Sequence, residues 1–312
     1  MRALVTGANG FVGRYLQRHL RAAGHDVIAA GRAQERSDVI LELHDQASIE
    51  HAIASEKPEV VFHLAAQTFV PSAYEDPVDT YETNVMGTVR LLKTLTEYRK
   101  SERRDVRMIY VSSAQVYGRG NSLHGALGED VPVAPVEPYS ASKAAAEFAS
   151  LAAHHAFGLD VIIARAFNHI GPGQDPHFVV PSFARQLALI VRGGAEALIE
   201  VGNLEAERDF LDVRDVVEAY ITLAERGTSG AAYNVCSGVP LKVKSILRML
   251  IMEANVPVEV REDPEKMRSI DVPQFYGDNR KLRALGWTPK ISIEQSVREI
   301  YADELRAVAA HA

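Results

Sequence analysis

Three glycines separate an apolar strand from an amphipathic helix at the head of the chain, and that junction constrains the fold more than any other feature. Ala3-Leu4-Val5 is apolar without alternation, the pattern of a strand buried on both faces. Gly7, Gly10 and Gly13 follow, with Asn9, Phe11 and Val12 between them. Phe11, Val12, Tyr15, Leu16 and Leu20 then recur at helical spacing, and Gly24 is a good helix stop. Glycines placed this way permit a tight turn, let the backbone approach a pyrophosphate, and let the helix pack closely on the sheet. The helix N-terminus offers free N–H groups and partial positive charge to phosphates. The spacing is G-x-x-G-x-x-G rather than G-x-G-x-x-G. Its place directly after the first strand gives it weight as a dinucleotide site.

The remainder of the chain continues the alternation. Strands are expected at Val27–Ala30, Val60–Leu64, Met108–Ser112, Val161–Arg165 and Ala232–Val235, with helices at Gln46–Ser55, Pro77–Arg99 and Tyr139–Ala156. The charged stretch from Arg99 to Arg107 reads as a solvated helix end and loop. Alternation at this spacing predicts an α/β fold: a Rossmann-type doubly wound parallel sheet with right-handed crossovers. After Phe167 the pattern breaks at Gly171-Pro172-Gly173, and a smaller C-terminal substrate-binding lobe is expected, with a short strand at Val258–Val260. The expected division is a dinucleotide-binding domain over 1–166 that regains about 212–235, and a lobe over 167–211 and 236–312.

The second strand ends in Ala29-Ala30-Gly31-Arg32. A carboxylate there would bind the ribose 2′-OH of NAD. Arginine suits a 2′-phosphate instead. Arg32, with Arg36 as a possible assistant, therefore favours NADP(H), and Glu35 just downstream leaves NAD(H) open.

Tyr139 and Lys143 stand four apart, one turn along a single helix face. Ser112 and Ser113 end the preceding strand, at the sheet edge where ligands bind in doubly wound folds. A phenol titrates near 10, so a neighbouring ammonium is expected to lower its pKa. Ser113 would hold a carbonyl oxygen against Tyr139, which protonates it as hydride arrives from a nicotinamide. Cys236 reads as a small buried hydrophobe and Trp287 as a core residue.

These residues resemble the extended short-chain dehydrogenase/reductase family that acts on nucleotide sugars. The likeness covers nearly the whole chain and includes His63-Leu64-Ala65-Ala66, Asn84, and Glu42-Leu43-His44-Asp45, which is similar to the family's acidic adenine-contacting motif. It implies cofactor contacts from Gly7, Asn9, Gly10, Phe11, Val12, Gly13, Arg32, Glu42, Leu43, Leu64, Ala65, Ala66, Gln67, Tyr139 and Lys143. Arg165 to Gln174 and Val201 to Phe210 look like the GDP-sugar branch. There the resemblance assigns nucleotide diphosphate to Asn168, Arg208 and Arg268, and further substrate contacts to Ser113, Gln115, Val179 and Asn203. In this family the dehydratases carry a glutamate two residues after the catalytic Ser or Thr, whereas this chain has Gln115, an amide without a useful acid–base pKa. The resemblance therefore implies ketoreduction, nearest to the reductases of GDP-4-keto-6-deoxy-D-mannose that make GDP-D-rhamnose. Dehydration, 4-epimerisation and cofactor binding without turnover remain as alternatives, and a talose-forming reductase would look nearly the same.

Composition narrows the partners. Lys+Arg 34 against Asp+Glu 41 gives a net charge of −7, a poor match to nucleic acid or an anionic membrane surface. One cysteine excludes an internal disulfide and a cysteine-rich zinc site, and no metal ligands are assigned. No apolar run reaches the length of a membrane span, and Arg2-Ala3-Leu4-Val5 leads directly to the glycines without a signal-peptide pattern. A cytoplasmic location is expected. So is a homodimer, because small residues such as Ala141, Ala144, Ala149 and Ala152 would permit close helix approach and because the family pairs these helices across a two-fold axis.

Overall fold

In the computed structural model, residues 1–120, 125–266 and 272–310 are described. The strands in chain order are β1 (Arg2–Thr6), β2 (Asp26–Gly31), β3 (Val39–Ile40), β4 (Val60–His63), β5 (Arg107–Ser113), β6 (Asp160–Ala166), β7 (Asn168–Ile170), β8 (Leu198–Val201), β9 (Glu207–Asp212), β10 (Ala232–Val235), β11 (Pro240–Lys242), β12 (Glu259–Glu262) and β13 (Gln274–Phe275). The helices are α1 (Phe11–Ala22), α2 (Gln46–Glu56), α3 (Val70–Glu75), α4 (Pro77–Tyr81), α5 (Gly87–Glu102), α6 (Pro138–Phe157), α7 (Val179–Val191), α8 (Val213–Arg226), α9 (Val243–Ala254), α10 (Arg280–Arg283) and α11 (Ile293–Ala310).

Seven strands form one parallel sheet in the order β10-β6-β5-β4-β1-β2-β3. The chain builds outward from β1 through β2 and β3, then returns to the other side of β1 and builds through β4, β5 and β6. The switch point thus lies between β1 and β4, where a parallel sheet opens a crevice at its carboxyl edge. Both faces are covered. Leu16, Leu20, Val216 and Leu223 of α1 and α8 pack on one face. Ile49, Leu91, Leu95 and Ala146 of α2, α5 and α6 pack on the other. Burial on both faces explains why these strands read as apolar runs.

A separate core is built from Phe183, Leu187, Ile246, Leu250, Val297 and Ile300 of α7, α9 and α11. Against it lie a small sheet in which β9 pairs with β7, β11 and β13, and the β8–β12 pair. Cys236 is buried, as is Trp287, which packs in the core shared by α1 and α8. No described helix is long and apolar enough to cross a membrane.

Two expectations need revision. The helix predicted over Pro77–Arg99 forms but is not α-helical throughout: residues 82–86 form a wider π turn between α4 and α5, and the helix runs on to Glu102. Such a turn frees local backbone geometry so that a side chain can be aimed elsewhere. Here that side chain is Asn84. Arg107 is not in a solvated loop; it opens β5 and donates to Asp160 Oδ2 at 2.7 Å.

Candidate active site

The glycine turn closes as the sequence implies. Gly7 has φ +66°, and a Cβ on it would lie 2.9 Å from Ala65 N, so β1 and the segment after β4 can approach only with glycine here. A Cβ on Gly13 would lie 2.3 Å from Gly7 O, so α1 rests directly on the turn. Gly10 caps α1 without a side-chain partner for the first N–H groups. This is the cradle that a pyrophosphate needs.

The segment Leu64-Ala65-Ala66-Gln67 is fixed from below. Thr6 Oγ1 accepts from Ala65 N at 3.1 Å and pairs with His63 Nδ1 at 2.8 Å, while His63 Nε2 pairs with Thr88 Oγ1 at 3.0 Å. Thr88 gives its own proton to Asn84 O at 2.7 Å, so the network fits a neutral imidazole protonated at Nε2. Burial holds that ring neutral, with a pKa lowered to about 3. Asn84, delivered by the π turn, accepts from Gln67 N at 2.8 Å and donates to Gln67 O and to Ser142 Oγ, each at 2.9 Å. Gln67 Oε1 is buried and has no hydrogen-bond partner.

At the tip of β2, Arg32 is exposed, and Asn9 Nδ2 donates to Ser37 Oγ at 3.1 Å beside Gly31. Glu42 Oε1 accepts from His44 N at 3.2 Å, while Leu43 is buried against Gly87. Phe11 stacks on His169 with centroids 6.2 Å apart and planes 9° apart, and Arg14 donates to both Asn9 O and Gly173 O. The glycine turn and the segment from β7 to Gly173 are therefore in direct contact.

The catalytic candidates converge at the ends of β5 and α6. Glu137 caps α6, accepting from Tyr139 N at 2.9 Å and Ser140 N at 2.7 Å, with Pro138 at the first position, so the helix starts where Tyr139 must stand. Ser113, at the last position of β5, accepts from Gln115 N at 3.2 Å, and its hydroxyl is near enough to Tyr139 to favour the ionised phenol. Lys143 is buried one turn on, its Nζ 4.6 Å from the centre of the Tyr110 ring. Burial, opposed by Ser113 and aided by Glu137, raises the phenol to about 12. The expected lowering by Lys143 is not seen: burial, Ser113 and Glu137 set the phenol's acidity, and Lys143 is not among the groups that shift it. Burial likewise lowers Lys143, to about 7, with Glu147 acting in the opposite direction.

Sequence reading missed the group behind this site. Arg165 makes a forked contact with the buried Glu147, through Nε at 3.1 and 3.2 Å and through Nη2. Ser112 Oγ donates to Glu147 Oε2 at 2.9 Å. The available signal was a glutamate one turn beyond Lys143 on an alanine-rich face.

In the smaller lobe, Asn168 pairs in register with Phe210, so alternation puts Asn168 and Arg208 on one face of the β7–β9 sheet. Arg208 Nη1 donates to Val272 O at 2.7 Å. Asn203 accepts from Glu205 N at 3.0 Å, and Val179 opens α7 with its side chain partly exposed. Arg268 lies outside the described residues. Gln115 sits on the short turn after Ser113.

Comparison with known proteins places the chain. The family model described as GDP-mannose 4,6 dehydratase matches residues 4–300. The chain belongs to this family. It is thus an extended short-chain dehydrogenase/reductase of the nucleotide-sugar group. Within the family, the chain is 39% identical over 303 residues to GDP-6-deoxy-D-mannose reductase of Pseudomonas aeruginosa, covering 97% of this chain and 96% of that protein. GDP-6-deoxy-D-talose 4-dehydrogenase of Aggregatibacter actinomycetemcomitans is 29% identical, covering 98% of each. The solved structure of RMD from Pseudomonas aeruginosa complexed with NADPH superposes with a TM-score of 0.89 at 37% identity, covering 98% of this chain and all of that one.

Proposed function

We propose that the protein reduces the C4 ketone of GDP-4-keto-6-deoxy-D-mannose to give GDP-D-rhamnose, using NADPH and, less well, NADH. The observation that carries this reading is that Ser113 ends β5 and that Tyr139 and Lys143 stand one turn apart at the start of α6, with an amide, Gln115, two residues after Ser113 where dehydration needs a carboxylate. The likeness to the Pseudomonas reductase and to the NADPH-bound RMD structure supports it. The carbon skeleton then needs only a hydride and a proton. A bound nicotinamide supplies the hydride. Ser113 holds the ketone oxygen, Tyr139 donates the proton to it, and the Lys143 ammonium compensates the phenolate left behind.

In this reading 1–166 with about 212–235 serves the cofactor, and 167–211 with 236–312 serves the nucleotide sugar. Gly7, Asn9, Gly10, Phe11, Val12 and Gly13 receive the pyrophosphate, Arg32 the 2′-phosphate, and Glu42 with Leu43 the adenine. Leu64 to Gln67 border the nicotinamide side. Asn168, Arg208 and Arg268 take the diphosphate, with Val179 and Asn203 as further substrate contacts. A cytoplasmic homodimer completes the reading. Ala144, Ala146 and Ala153 are used inside the subunit, so the small-residue argument is weaker than the sequence implied. Exposed Tyr74, Val78, Tyr81, Phe148 and Phe157 on α3, α4 and α6 support pairing instead.

The experiment is NADPH oxidation with a panel of nucleotide 4-keto-6-deoxy sugars, with NMR of the product. Rhamnose configuration at C4 is expected. Tyr139→Phe should lower turnover by about 10²–10⁴ and leave NADPH binding intact. A Tyr139→Phe protein of near wild-type activity would remove the mechanism.

A further inference from the structure

We propose that Glu147 is a positioning residue for the reaction read above: anchored by Arg165 and Ser112 one helical turn from Lys143, its buried carboxylate supplies the fixed negative charge that balances the Lys143 ammonium beside Tyr139. The proposal rests on that reading of the site and adds a residue to it.

Glu147 follows Lys143 by one helical turn, so both side chains leave the same face of α6. Its carboxylate is almost wholly buried. A buried carboxylate is unfavourable unless paired and hydrogen-bonded, and this one is both. Arg165 and Ser112 reach it from β6 and β5. Arg165 is itself fixed: Nη1 donates to Tyr117 OH at 2.9 Å and to Glu129 O at 3.2 Å, and the guanidinium lies 4.9 Å from the Tyr117 ring centre. Tyr117 OH donates onward to Asn234 Oδ1 at 2.7 Å. The carboxylate cannot swing away without breaking this chain.

Tyr139 and Glu147 face Lys143 from α6, Tyr110 from β5 and His63 from β4, with Arg165 behind Glu147 on β6. His63 stays neutral, and Tyr110 and Tyr139 stay protonated because burial raises both. Glu147 is the group in this set that favours the charged lysine against burial. After Tyr139 gives up its proton, a neutral lysine would leave a buried phenolate uncompensated.

The sign follows. Activity is lost as pH rises and Lys143 loses its proton, and Glu147 moves that loss to higher pH. In Glu147→Gln the alkaline limb of kcat should shift down by about one pH unit. The rate at pH 8 then falls about tenfold, while that at pH 6 stays within about threefold. Glu147→Asp should recover part of the shift. Because Glu147→Gln leaves Arg165 unpaired, the double variant Glu147→Gln/Arg165→Met is made beside it. If Glu147 only neutralises Arg165, the double variant regains the wild-type profile and the proposal fails; the proposal requires the shift to persist. The same comparison is made without substrate, by following the 13Cε resonance of Lys143 in lysine-labelled protein, identified by its loss in Lys143→Arg. A Lys143 midpoint unchanged in both Gln variants overturns the proposal. A shifted midpoint in a protein that reduces none of the 4-keto sugars upholds it and sinks the substrate reading alone.

Discussion

Replacing Gly13 by alanine tests whether α1 must rest on the glycine turn. The added Cβ would stand 2.3 Å from Gly7 O, 2.7 Å from Ala8 O and 2.8 Å from Ala8 Cα. Ordinary contact begins near 3.4 Å, so the helix start must retreat by about 1 Å. Gly7 cannot yield in its place, being backed by Ala65 and Leu64. Leu16 and Leu20 of α1 are locked in the core with α8, so the retreat is resisted. Overpacking of this kind costs about 1–3 kcal/mol. At about 2–4 °C per kcal/mol for a chain somewhat smaller than this, Tm should fall by about 2–12 °C. The N–H donors at the helix start move with it. Losing one charge-assisted contact to phosphate, worth about 1.5–3 kcal/mol, weakens NADPH by at least tenfold. Gly24→Ala is the control. Its φ is +79° but a Cβ there meets nothing within 4 Å, so it should lose about 1 kcal/mol of stability and keep its NADPH affinity. Thermal melting and NADPH fluorescence titration measure both effects. Wild-type NADPH affinity in Gly13→Ala, or equal binding losses in the two variants, would refute the reasoning.

Arg32→Ala should weaken NADPH about ten- to hundredfold and leave NADH nearly untouched; equal losses for both cofactors would show that Arg32 serves the fold. Lys143→Ala should reduce both turnover and cofactor affinity, read by stopped-flow absorbance and fluorescence quenching side by side. Asp209→Ala should destabilise strongly, by about 3 kcal/mol in chemical denaturation, because its buried carboxylate accepts from Ser237 N and Oγ, Gly238 N and Gly277 N. Light scattering at micromolar concentration should give twice the subunit mass; a monomer alone would remove the homodimer.

The parts of the site that sequence made legible are those fixed by local geometry. The glycine turn follows from spacing and its place after β1, and Tyr139 with Lys143 from one helical turn. The π turn that delivers Asn84 was not legible, since nothing local distinguishes 82–86 from the helix on either side. It is set by partners far away, Gln67 and Ser142. The same holds for Glu147 and Arg165: each alone reads as ordinary charge, and only the packing of α6 on β6 makes them a buried pair. The pKa of Tyr139 was misjudged because proximity in sequence says nothing about desolvation.

The place of β1 bears on how the chain acquires its fold. Arg2–Thr6, which precedes every other strand of the sheet in the chain, ends in its middle, hydrogen-bonded to β2 on one side and to β4 on the other. Its second edge stays open until His63 has left the ribosome, and β5 is added only after Arg107. Closure of such loops carries an entropic penalty before it is rewarded, and open apolar edges are sticky meanwhile. Folding should therefore be slow for a chain of this size, governed by sequence separation rather than by final stability. Loss of Arg2–Thr6 would split the sheet at its centre.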